Sequence, residues 1–419
     1  GAVYRLVAAM QDQEGEAIMA AQVHTDVPGN VWKVLVAAGD AVSTATYYVE
    51  ASNDYDVLLS FVNDNFVPAS IEFSLLTLDG EADTASRTIL STNQLSLKVS
   101  ELFNSPNIQG TLQISSSQPV YMQGLLEVDD GQGQTIIAPA PAILGEQERS
   151  ERMRERRVLP AIPTGAGSYV RIVLLNTSED VIHGTLEVTD QETAPYEIEP
   201  GRAYVHNILP DARPLLDGHA IVNAVIGDAP EAFALVARLN RDNSMSSLHT
   251  VTSHQEGPLF WAPLDTYPDV LHNGNIDSTL HVVNPLQIPA TIYLEWFDMD
   301  GNSVETFDRT IVRGESAALN LEEVFGQSPL RGTLRVFSDT GVSATLLEST
   351  RTVLGETVIM DVPLQITPEE GKSRFVFPLF RNGDGFATEM LTINTDRAPH
   401  NGSLRMLNSD GEAMEVILR

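Results

Sequence analysis

Cysteine is absent from this chain of 419 residues. Its absence excludes disulfides, thiolate metal sites and thiol nucleophiles. It fits the cytosol, and equally bacterial extracellular proteins that rely on core size instead of cross-links. Lysine is scarce too, confined to Lys33, Lys98 and Lys372, and 57 acidic residues against 25 basic ones give a net charge of −32. Such an excess repels phosphate backbones, so no nucleic-acid partner is expected. A solvated acidic exterior is the simplest reading of the charge. Long apolar runs are also missing; none approaches the about 18 residues that a membrane-spanning helix needs. The chain opens without an initiator Met or a signal-peptide pattern, so Gly1 reads as a processed end or as the limit of the segment.

Catalytic signatures are missing as well. There is no Gly-x-Ser-x-Gly elbow, no His-Glu-x-x-His, no Walker loop and no Gly-x-Gly-x-x-Gly. The 9 histidines are scattered. His249 and His254 share a segment, at a spacing that suits neither one face of a strand nor one face of a helix, and read as surface histidines. The expectation is a protein that is not an enzyme, with no catalytic residue, metal or cofactor.

What is present is an internal repeat. Apolar residues make up 42% of the chain and charged residues 20%, the globular range. An Asn closes a hydrophobic run at Asn63, Asn176, Asn284 and Asn394, a period of about 110 residues. A Gly opens a later run at Gly110, Gly218 and Gly332, and one period before Gly110 lies Gly1. The chain therefore begins with the back half of a unit and ends with the front half of one.

Within each unit, short runs rich in Val, Ile, Leu and Thr alternate with turn residues at sandwich-like spacing. Ile292, Leu294 and Trp296 alternate onto one face, predicted to be core. Asp79-Gly80, Asp300-Gly301 and Asp410-Gly411 predict hairpins, because both positions tolerate the positive φ of a tight turn. Leu319–Phe325 reads as one helical turn or a loop. The predicted architecture is all-β, with tandem sandwiches in a linear array at 46–145, 157–255 and 258–365. Half-domains at 1–30 and 373–419 flank them. In the first unit Trp32–Val36 is followed by an added stretch, Ala37 to Thr46, before Tyr47-Tyr48-Val49, and an extra strand or loop is expected there.

Candidate sites are few. Asn176-Thr177-Ser178 and Asn401-Gly402-Ser403 are N-glycosylation sequons, although Asn176 is also the strand-closing Asn of the repeat and suits a turn cap. Asp298, Asp300, Asn302 and Glu305, and the loop Arg381–Gly385, offer oxygen ligands but not the twelve-residue calcium-loop spacing. Trp32 and Trp261 lie in segments that open a unit, where packing between domains is expected. The stretch Glu146–Arg157 alternates Glu and Arg and reads as a solvated linker, with contact to an acidic face of a second subunit as the alternative.

The order of features is a Pro-bearing opening strand, a strand closed by Asn, an Asp-Gly hairpin, a Gly-opened strand and a strand of small residues. It resembles the tandem immunoglobulin-like β-sandwich repeats of secreted bacterial surface and fibre proteins. That resemblance implies an extracellular structural role. The half-domains at 1–30 and 373–419 predict a homopolymer in which the front half of one subunit docks on the back half of the next, forming a filament by strand addition. Two alternatives are a segment of a longer adhesin or stalk and a polysaccharide-binding accessory module. The two halves together fall about one strand short of a full unit.

Overall fold

The computed structural model describes residues 3–10, 17–25, 33–37, 39–129, 135–145, 156–165, 167–209, 215, 217–240, 244–253, 257–266, 276–351, 357–362, 364, 374–381, 386–394, 402–408 and 412–414. The N-terminal segment holds β1 (Val3–Met10), β2 (Ala17–Thr25) and β3 (Lys33–Ala37). Unit one has β4 (Ala41–Ala51), β5 (Tyr55–Val62), β6 (Ala69–Thr77), β7 (Ala82–Ile89) and β8 (Gln94–Lys98). It continues with α1 (Val99–Leu102), β9 (Ile108–Asp129), β10 (Thr135–Pro139) and β11 (Ala142–Leu144). Unit two has β12 (Arg156–Leu159), β13 (Ser168–Leu175), β14 (Ile182–Val188) and β15 (Ala194–Ile198). After these come β16 (Ala203–Ile208), β17 (Ala220–Ile226), β18 (Glu231–Leu239) and β19 (Met245–Thr252). Unit three has β20 (Gly257–Asp265), β21 (Ile276–Val283), β22 (Ala290–Phe297), β23 (Ser303–Ile311) and β24 (Ser316–Asn320). It ends with α2 (Leu321–Phe325), β25 (Arg331–Arg351) and β26 (Thr357–Val362). The C-terminal segment holds β27 (Arg374–Arg381), β28 (Phe386–Asn394), β29 (Gly402–Leu407) and β30 (Ala413–Met414).

Unit two shows the plan most simply, as two antiparallel sheets ordered β12-β17-β14-β15 and β16-β13-β18-β19. Units one and three follow the same order, except that one long strand, β9 or β25, runs through both sheets and that unit one adds β11 outside β4. Alternation along each strand sends one face inward. On β22, Ala290, Ile292, Leu294 and Trp296 are buried while Tyr293 is exposed. Those side chains meet Leu280, Val282 and Leu346 of the facing sheet, and each large apolar side chain so buried contributes about 1.5–3 kcal/mol. Trp296 is core as predicted, and its indole Nε1 donates to the Arg331 carbonyl at 3.1 Å. The strand order is not that of an immunoglobulin domain, whose first two strands are neighbours in one sheet; here β12 and β13 lie in different sheets.

Two turn readings are refined. The Asp298–Asn302 loop is wider than a two-residue turn: Asp298 N donates to the Asn302 carbonyl and Gly301 N to the Asp298 carbonyl. Gly301 alone there takes a positive φ, +79°, so a right-handed turn closed by one left-handed residue replaces the mirror-image turn. The segment before β25 is a helical turn, capped by Asn320, whose Oδ1 accepts from Glu323 N at 3.0 Å.

The strand-opening Gly has a steric cause. A Cβ on Gly110 would lie 2.3 Å from the Leu76 carbonyl oxygen, and one on Gly332 2.0 Å from that of Phe297. In unit two the matching position is Ala220, paired with Val188 as Gly110 is with Thr77. Gly218 stands earlier, against the Ile162 carbonyl, so the repeat in that unit slips relative to the sequence alignment.

The terminal segments build a fourth unit together. β1 runs between β27 and β29, with Ala8 opposite both Phe375 and Leu404. β2 runs between β28 and β3, from Ala17↔Asn394 to Thr25↔Phe386 on one side and with Val23↔Val34 on the other. The orders β27-β1-β29-β30 and β28-β2-β3 repeat those of unit two. The Ala37–Thr46 stretch expected to add a strand or loop to the first unit holds the end of β3, which belongs to the terminal unit, and the start of β4. Among the described residues, no strand takes the place outside β28 that β8, β16 and β24 hold outside β5, β13 and β21, which is the one-strand shortfall counted from the sequence.

The array is closed rather than linear. The last strands of the four units touch in a cycle, β3 to β10, β10 to β19, β19 to β26 and β26 to β3. Across the junctions a sheet of one unit meets strands and loops of the unit before it. Ser60 Oγ and Gln94 Nε2 both donate to the Pro378 carbonyl, at 2.7 and 2.6 Å. Thr250 Oγ1 donates to the Pro139 carbonyl at 2.6 Å, and Ser316 Oγ to that of Asp217 at 3.0 Å. The fourth junction brings β20 against β28.

Candidate functional site

The repeated Asn is a turn-closing device. Asn63, Asn176 and Asn284 are each at most 1% exposed. Asn284 Nδ2 donates to the carbonyls of Ile288 and Ile311 at 2.8 and 3.1 Å, and its Oδ1 accepts from Leu286 N at 3.0 Å. Asn176 does the same with Asp180, Ile198 and Ser178. The Asn176 sequon therefore has its acceptor nitrogen buried, with both hydrogens engaged. Removing the amide leaves buried carbonyls unsatisfied, at about 1–3 kcal/mol. Asn284→Ala is expected to lower the urea midpoint accordingly, while Asn302→Ala, on an exposed turn, leaves it nearly unchanged. Equal midpoints for the two variants would refute this role.

Histidine enters at the junction of units two and three. His249 on β19 is 3% exposed and His281 on β21 8%, so His249 is not the surface residue that the sequence suggested. Neither ring nitrogen of His249 has a hydrogen-bond partner. Burial, with the charge of His281, pushes His249 down to about 3. Burial pushes His281 down to about 4, against the pull of Asp217. Both values lie below that of an unfolded histidine, so the opened state binds the extra protons. Stability is full above pH 6.5 and falls as the pH drops through 6.5 toward 4 and 3, by up to about 1.4 kcal/mol per pH unit for each ring. The expected result is a urea midpoint that declines between pH 7 and 5 in the parent and is flatter in His249→Leu/His281→Leu; parallel declines would count against it.

Between units one and two, Arg171 forms an ion pair with Glu50, both side chains 16% exposed. Burial holds the Glu50 carboxyl above its usual range despite Arg171. Removing one partner of such a pair leaves the other charge buried without compensation.

The outer face of unit three carries the chemistry that sequence reasoning missed. Across β20, β25, β22 and β23 the register aligns Leu259, Phe337, Tyr293 and Asp308 in one row. The next row is Trp261, Arg335, Glu295 and Thr306, and Pro263, Thr333, Phe297 and Ser303 follow. Tyr293 and Phe337 are 47% and 44% exposed, with ring centroids 5.9 Å apart. The Arg335 guanidinium lies 5.7 Å from the Trp261 ring centre and 5.6 Å from that of Phe297, and pairs with Glu295. An open groove of about 610 Å³ runs over these residues. Trp261, half-buried with its indole Nε1 out of solvent, lies in the row of Arg335 and beside Phe297, on the strand that also meets β28. The outward alternation of Tyr293, Glu295 and Phe297 beside the core stripe was the available signal.

Other predicted positions resolve differently. Asp298 spends its carboxylate on Asn302, through side chain and backbone, and on Asp300 N. Those bonds, that of the Asn302 side chain first, favour the ionised carboxylate and hold its pKa below the usual value. Among the described residues no cluster of His, Asp and Glu has metal-binding geometry, and no helix is long and apolar enough to cross a membrane. Asn401, Trp32, His254, Asn382–Gly385, Asp410-Gly411 and residues 146–155 lie outside the described residues.

No protein-family model and no curated protein matches the chain. Among solved structures, Thermotoga maritima 1070 aligns at 16% identity and TM-score 0.22, over 26% of this chain and 96% of that one. Dimeric latent PorU from Porphyromonas gingivalis aligns at 9% identity and TM-score 0.15, where this chain spans 34% of the other. A tetra-tandem repeat from the extending region of a large adhesion protein aligns at 11% identity and TM-score 0.12, over 87% of this chain and 95% of that one. Scores this low make the adhesion repeat a weak neighbour of a mostly-β chain and carry no argument about activity.

Proposed function

We propose that this chain is a non-catalytic structural module of an extracellular surface, built of four β-sandwich units that close on themselves. The observation that carries the reading is the in-register pairing of β1 with β27 and β29, and of β2 with β28, within one chain. Partners tethered in one chain meet at an effective concentration of about millimolar order. At micromolar protein, closure within a chain therefore outcompetes the same pairing between chains. The head-to-tail filament expected from the sequence is the exchanged form, in which these strands pair with the next subunit.

Light scattering at micromolar concentration tests the reading. A particle of 45.6 kDa is expected, with a radius of gyration near the about 22 Å of a compact chain this long. Filaments, or an extended rod of the same mass, would overturn it in favour of the fibre or the stalk.

A further inference from the structure

We infer that the outer face of unit three binds an uncharged polysaccharide, with Tyr293 and Phe337 as the stacking surface and Glu295, Arg335 and Asp308 as flanking hydrogen-bond partners. The inference is independent of ring closure and starts from a comparison inside the chain. The same four-stranded face in unit one aligns Thr46, Gln113, Ser74 and Thr84 across β4, β9, β6 and β7. The fold therefore requires no ring there, and small polar residues suffice to cover the sheet. Unit three instead holds two rings about half exposed, over a groove rimmed by an ion pair. Contiguous exposed aromatic surface rimmed by polar groups marks a binding site.

Size and charge select the occupant. With strands about 4.8 Å apart and alternate residues about 6.7 Å apart, four strands and three rows cover roughly 200 Å². A stable protein partner needs about 800 Å² per side. A short stretch of sugar chain fits the smaller area. The C–H faces of a pyranose pack on the electron-rich faces of aromatic rings, and its hydroxyls both donate to carboxylates and accept from a guanidinium. Glu295 and Asp308, on a chain of net charge −32, disfavour an anionic glycan.

Titration calorimetry of the full chain with cellohexaose and maltohexaose, and with hexagalacturonate as the anionic control, tests this. Binding of at least one neutral probe is expected, with none of the acidic one. Tyr293→Ala and Phe337→Leu should each weaken binding at least tenfold, with unchanged far-ultraviolet dichroism, while Thr46→Ala on the unit-one face should leave it unaltered. Absence of binding by both neutral probes, preference for the acidic probe, or equal affinity in the Tyr293 and Phe337 variants would each overturn the inference. A concentration-dependent dimer dissolved by Phe337→Leu would identify a second copy as the occupant and overturn it too.

Discussion

Deletion of residues 1–37 is expected to turn a monomer into an associating species while three units stay folded. The deleted stretch supplies β1, β2 and β3, so β27 and β29 lose the strand between them and β28 loses its neighbour β2. Backbone groups along all three strands are then unpaired, and exposed edges recruit other chains. The contacts of β3 with β10 and β26 disappear as well. Far-ultraviolet dichroism should remain that of a β protein, because the cores of units two and three are built without these strands. Hydrogen exchange should lose protection over 374–408, and a synthetic 1–37 peptide added in trans should restore it. A monomeric deletion variant with unchanged protection would contradict the account.

Gly332→Ala is expected to be the most damaging single methyl in unit three, at about 3–4 kcal/mol, the upper end of single-residue effects. The Cβ would sit 2.0 Å from the Phe297 carbonyl oxygen, at a φ of +135° that side chains rarely adopt. Both neighbours are backbone, so no rotamer change relieves the clash. Gly301→Ala is the control: φ is +79° but nothing lies within 4 Å, and a left-handed backbone alone costs about 1–2 kcal/mol. Fluorescence of Trp296, buried against Phe325, reports unit three. A midpoint shift for Gly332→Ala no larger than that for Gly301→Ala would refute the steric reading.

Elements fixed by local pattern were legible in the sequence. Trp296 followed from alternation and the split unit from the phase of Gly1 against Gly110, while Leu319–Phe325 stayed open between a helical turn and a loop, a choice that the Asn320 cap decides. Features set by long-range pairing were not. Sandwiches of this size share a repeat length and turn spacing, so these cannot separate an immunoglobulin strand order from the one seen. Whether a half-unit meets its complement in the same chain or the next depends on how the units turn about one another, which no local pattern encodes. His249 read as a surface residue because β19 is covered by β26 of the next unit. The place of Trp261 beside Arg335 and Phe297 depends on the pairing of β20 with β25 and of β25 with β22, which no local pattern encodes.

The central claim is that the terminal strands pair within one chain, and a cross-link tests it most directly. The chain has no cysteine, so the pair Ala8→Cys and Leu404→Cys, register partners on β1 and β29, introduces the only thiols. After mild oxidation at micromolar protein, the account predicts a covalently closed monomer, seen as a faster band on a non-reducing gel that reduction abolishes. A ladder of covalent dimers and higher multimers would contradict it and show that the same strands join neighbouring chains.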